Sequence, residues 1–169
     1  MRLIKLGLIS AVVLFMVVTA ISLLLPSSII ISRAVDIEAD LSTVYPKVAD
    51  LSNWKQWYAF SDTTHFSVSA NTTGKGAVLT IDKSMITLGE VTEKKVKAYW
   101  SIGANNQMPG EFNFITSDSI GASHITIQWQ VIHKVKWYPW EKFASIVADK
   151  SIGFFMEKSL DKLKEVSEK

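Results

Sequence analysis

The 169-residue sequence has no cysteine. Disulfides, thiolate nucleophiles and sulfur-ligated metals are excluded together. A domain placed outside the cytoplasm must then be held by packing alone, which a chain of this length can manage. Histidine is scarce as well: His65, His124 and His133 stand far apart, without the spacing of metal ligands. No serine sits in a Gly-x-Ser-x-Gly elbow, and Gly74-Lys75-Gly76 is too short for a phosphate loop and reads as a hairpin turn. No internal repeat or low-complexity segment is present. These absences leave no metal or cofactor to expect.

Charge of one sign is also lacking. The chain has 18 basic and 16 acidic residues, and Arg2 and Lys5 account for the whole excess, so residues 29–169 are balanced. Nucleic acid needs a concentrated basic surface, and none is expected as a partner. The Lys94, Lys95 and Lys97 cluster reads as a solvated strand edge.

What the sequence does have is an uncharged apolar run from Leu6 to Leu25, closed by Pro26. About 20 such residues span a bilayer as a helix, the form that satisfies its own backbone in lipid. Arg2 and Lys5 precede the run, and no positive charge follows until Arg33. This asymmetry predicts a cytoplasmic N-terminus and an exported remainder on the cytoplasmic membrane. Residues 1–28 form the expected anchor and 29–169 the expected domain, with residues 6–25 meeting the bilayer. The alternative is a signal peptide cleaved after Val18-Thr19-Ala20. Continuation of the run through Ile21, Leu23, Leu24 and Leu25 favours retention.

Alternation from Ile29 to Glu38 predicts a half-buried strand, with Ile29, Ile31, Val35 and Ile37 on one face. Asp40 then caps a short helix over 41–49, and residues 50–60 form a second helical turn with Trp54 and Trp57 on one face. Strands are expected at 65–70, 77–83, 85–92, 95–102, 111–116 and 123–135. They are separated by turns at 71–74, 105–110 and 117–121, as in antiparallel neighbours. Pro139 opens a long helix reaching about Val166, with Ala144, Ala148, Ile152, Phe155, Leu163 and Val166 as its apolar stripe. Gly153 bends that helix or is merely tolerated.

Several segments match a known pattern in the right order. Ser32-Arg33-Ala34-Val35-Asp36-Ile37-Glu38-Ala39 with Val44-Tyr45 is similar to a first strand and helix start. Asp50-Leu51-Ser52-Asn53-Trp54-Lys55-Gln56-Trp57 matches a D-x-x-N-W-x-x-W segment. Ile125-Thr126-Ile127-Gln128-Trp129 fits a last strand, and Phe154, Leu160, Leu163 and Lys164 fit a closing helix. Together they resemble the START-like (SRPBCC) superfamily, in its polyketide cyclase/dehydrase and lipid-transport group, over about residues 29–166. The resemblance implies an α+β helix-grip fold, a curved antiparallel sheet wrapped on a long C-terminal helix. It does not select among binding proteins, carriers, cyclases and hydrolase activators.

A helix laid across a curved sheet can enclose an apolar cavity. The expected lining is Trp100, Ile102, Phe112, Phe114, Ile127, Trp129 and Val131, facing Ala144, Ala148, Ile152 and Phe155. One reading is a site for a lipid, sterol-like or aromatic ligand; the other is a solid core. Trp54 and Trp57 are expected to pack the short helices with their indole N–H groups satisfied. An enzymatic reading would use His133, in phase with the inward strand face, or Glu90, whose pKa would rise if its strand buried it; pairing of Glu90 with a lysine is the equal alternative. A third reading is an envelope protein-interaction domain, with no partner named by the sequence.

Overall fold

In a computed structural model, residues 2–59, 65–102, 107–116 and 124–169 are described, the side chain of Ile102 excepted. Helix α1 spans Arg2–Leu23 and is long and apolar enough to cross a membrane. Strand β1 (Ser28–Ile37) follows, then α2 (Leu41–Ala49), a 3-10 turn at Leu51–Asn53 and α3 (Trp54–Trp57). Strands β2 (Phe66–Val68), β3 (Val78–Ile81), β4 (Ser84–Thr92), β5 (Lys95–Ile102), β6 (Gln107–Thr116) and β7 (Ile125–Lys134) lead to α4 (Pro139–Ser167).

The seven strands form one antiparallel sheet in the order β1-β7-β6-β5-β4-β3-β2. The long helix lies against β1, giving the α+β helix-grip arrangement. Helix α4 runs parallel to β1. Near its start, Lys142 reaches Ser27; at its far end, Glu168 accepts from the Glu38 amide at 2.8 Å.

Alternation controls the packing. Ile125, Ile127, Trp129 and Val131 of β7 are buried, as are Val96, Ala98 and Trp100 of β5. Trp54 and Trp57 are fully buried, and their indoles donate to the Val48 and Lys47 carbonyls at 2.9 and 2.8 Å. Both rings meet Phe112 edge-on, so these tryptophans lock the short helices onto the sheet.

Three local expectations need correction. Asp40 occupies the N-cap position of α2, but its side chain makes no cap hydrogen bond. Its carbonyl accepts from Thr43 and Val44 instead. Residues 107–110 are strand rather than turn: Tyr99 pairs with Pro109 and Ala98 with Gly110. Proline is tolerated there because the ladder to β7 begins only at Gly110. Finally, Gly153 is more than tolerated. A Cβ there would lie 2.1 Å from the Arg33 Nη2, so the missing side chain seats a guanidinium that bonds Glu157 at 2.6 Å and Asp149 at 3.4 Å. Phe60 and the 117–121 turn lie outside the described residues.

Candidate functional site

Because α4 lies on the β1 edge, the sheet beneath β3–β5 is left partly uncovered, and a cavity of 620 Å³ opens there. Its walls come from the end of α3 (Tyr58, Ala59), the β3–β4 hairpin (Ile81 to Ile86), β5 (Trp100, Ser101), β6 (Met108), β7 (Trp129, Val131) and α4 (Ser151, Ile152, Phe155, Met156). That volume lies within the usual range for small-molecule sites.

The floor is aromatic. Trp100 stacks on Trp129 with centroids 5.6 Å apart, Trp129 stacks on Phe112 at 5.0 Å, and Tyr58 meets Phe155 edge-on at 5.0 Å. Trp100 donates its indole N–H to the Tyr58 hydroxyl at 3.0 Å. Burial pushes the Tyr58 phenol well above its ordinary value, against the opposing pull of Trp100, so it stays neutral at physiological pH. The charged side chains in the wall are Asp82 and Lys83, both exposed at the hairpin tip. Asp82 has φ 50°, a left-handed conformation that suits a two-residue hairpin and that aspartate tolerates. The cavity is therefore apolar inside and polar at its mouth.

Of the residues singled out by sequence, Trp100, Trp129, Val131, Ile152 and Phe155 line this cavity. Phe112, Phe114 and Ile127 are buried in the core below it. Ala148 is half-buried outside the lining, and Ala144 is exposed, contrary to the inward stripe expected of it. The face of α4 turned to the protein in that first half carries Lys142 and Ser145 instead. The Ile102 side chain lies outside the described residues.

Neither acid–base candidate is in the lining. Glu90 is exposed and ion-paired with Lys97 at 2.7 Å. The Lys97 hydrogen bond and charge hold its carboxyl below the ordinary range, which is the lysine-paired alternative and not the buried base. The cause is a register shift between Leu88 and Val91, which turns Glu90 out of the sheet's inner face. His133 pairs with Ile29 near the sheet's edge, half-buried, with its Nδ1 unpartnered among the described residues. Among those residues no metal-ligating cluster occurs. Sequence reasoning missed Tyr58, Met108, Met156 and the hairpin. Tyr58 stood in the visible Trp54–Trp57 aromatic run, but the hairpin's share depends on sheet curvature, which no local pattern reports.

Solved structures share this architecture. The chain is similar to norcoclaurine synthase of Thalictrum flavum, a point mutant bound to a transition-state analogue, at 11% identity and TM-score 0.61, covering 83% of this chain and 94% of that one. A START superfamily protein from Mycobacterium smegmatis matches at 13% identity and TM-score 0.57, covering 82% and 97%. A protein from Nitrosospira multiformis matches at 9% identity and TM-score 0.63, covering 82% and 96%. No family model matches the sequence, and no curated protein does. At these identities the likeness is one of fold, and the fold is START-like.

Proposed function

We propose that this chain is a membrane-tethered receptor or carrier for a small hydrophobic molecule. Residues 1–28 serve as its anchor and residues 29–169 as its binding domain. The observation that carries this reading is the 620 Å³ cavity with an aromatic floor and with its charged groups confined to the rim. Desolvation of the ligand's apolar surface supplies the affinity, at about 25 cal/mol per Å² buried. The distribution of polar groups favours an amphipathic ligand. Its apolar body lies against Trp100, Trp129 and Phe155, and its polar end sits near Asp82, Lys83 and Ser84. The Arg2 and Lys5 asymmetry supports a cytoplasmic N-terminus with the cavity on the opposite side of the membrane.

The test is native mass spectrometry and solvent extraction of the full chain purified from membranes. The expected result is an apolar molecule bound at about one per chain. A folded chain that yields none, and takes up none from an added lipid extract, would overturn the reading.

A further inference from the structure

The first half of α4 is built the wrong way round for a water-facing helix. Trp140, Phe143, Ile146 and Val147 are exposed at 63, 42, 61 and 60%, as are Trp137 just before the helix and Phe154 beyond it. Lysine 142, by contrast, is only 2% exposed. At about 100° per residue, Trp140, Phe143, Val147 and Phe154 fall within about 60° of one another. The stripe borders the side of the helix that carries Ser151 and Phe155 into the cavity wall.

The start of α4 adjoins the end of α1 through the opposite, buried side of the helix. The Lys142 ammonium donates to the carbonyls of Leu25 and Pro26 at 2.9 and 2.8 Å and to the Ser27 hydroxyl at 3.0 Å. The start of α4 is thereby fixed to the exit of the apolar helix. Lys134 and Lys136, both exposed, precede Trp137, and Tyr138 stacks on Trp140 with planes 4° apart. Tryptophan and tyrosine with lysine nearby are what a lipid–water boundary selects.

The sheet register adds a geometric fact. Ser28 pairs with Lys134, Ser101 with Gln107, Ser84 with Ile102 and Ile81 with Ser84. The exit of α1, the first half of α4, the hairpin tip and the cavity's lining strands therefore lie at one end of the sheet.

We infer that the Trp137–Val147 face is a bilayer-docking surface, seated in the membrane that α1 enters, which holds the cavity mouth at the lipid boundary. The inference rests on α1 being a retained anchor and names the bilayer as the source of the ligand. A lipid can then pass along the α4 stripe to Ser151 and Phe155 without crossing water.

The tryptophans give a direct readout. Trp54, Trp57, Trp100 and Trp129 are buried, and Trp137 and Trp140 are the two exposed ones of the six. The full chain is reconstituted in phosphatidylcholine–phosphatidylglycerol vesicles brominated on the acyl chains. The expected result is loss of up to about a third of the emission, the share of two tryptophans in six, abolished in the W137F/W140F double variant. In Phe143→Asp/Val147→Asp the loss shrinks, while the chain still floats with the vesicles. Quenching unchanged in the double variant would come from Trp100 and Trp129 beside the cavity and would overturn docking while leaving ligand uptake standing. A floating, unquenched chain overturns it too. If its Phe143→Cys form cross-links to itself, the face belongs to a second copy. Mass spectrometry of the purified chain shows whether residues 1–20 remain. If they are absent, the anchor on which the inference rests is missing and docking is overturned.

Discussion

Glycine 110 shows how much one missing methyl group can matter. A Cβ there would sit 2.5 Å from the Gln130 carbonyl oxygen and 2.7 Å from both Trp100 and Val131. Backbone cannot yield as a side-chain tip can, so Gly110→Ala should lower unfolding free energy by about 1–3 kcal/mol, read by denaturant titration. Gly153→Ala should behave differently, because the obstructing atoms are the end of Arg33. The exposed ion pairs to Asp149 and Glu157 are worth about 0.2–1 kcal/mol, and alanine gains about 1 kcal/mol in a helix. Stability should stay within about 1 kcal/mol of the parent, with less dependence on salt. A loss of several kcal/mol would refute a yielding seat. Glu111 contributes to the acid limb. Burial alone would raise its pKa, but Lys95 and the amides of Asn113 and Gln130 bring it below the ordinary 4.5. Its contribution is therefore complete above about pH 4.5 and lost as pH falls through the lower folded value. Asp50, lowered from 3.8 by Ser52 and Thr72 against the effect of burial, acts in the same direction. Glu111→Gln should flatten the fall in stability below pH 4.5, measured by melting across pH.

At the scale of elements, the junction of α1, β1 and α4 depends on Lys142. Its ammonium meets three oxygens, two of them carbonyls just past the end of α1. Lys142→Met keeps the stem and removes the donor, leaving those carbonyls unsatisfied. The expected cost is about 1.5–3 kcal/mol, the worth of a charged hydrogen bond, with faster protease cleavage near residues 24–28. Unchanged cleavage would show that the junction is held elsewhere. This contact explains why the α4 stripe was misread. Periodicity correctly placed a helix from Pro139 and buried Leu163. It put Ala144 on the inward stripe, however, because that residue recurs at helical spacing with Ala148, Ile152 and Phe155. Ala144 is exposed because the protein-facing side of the first turns carries Lys142, bound to the α1 exit, and Ser145.

For the whole molecule, the cavity is the quantity to perturb. Ile152→Trp projects bulk from α4 into the space. It should at least halve ligand recovery without lowering the melting temperature of ligand-free chain, since an apolar void is filled rather than a packed core strained. Full ligand loading in the variant would place the ligand elsewhere. Local sequence determined a great deal here: the apolar helix, the strand and helix order, and the alternating faces of β5 and β7. These follow from side-chain periodicity and chain-local physics, which any segment carries within itself. Tertiary structure alone decided that Phe112, Phe114 and Ile127 are floor support while Tyr58, Met108 and the Ile81–Ile86 hairpin form wall. It also decided that Glu90 turns outward beside Lys97. A cavity is the space left where curved layers fail to meet, so its boundary depends on where α4 rests across the sheet, a relation between segments distant in the chain.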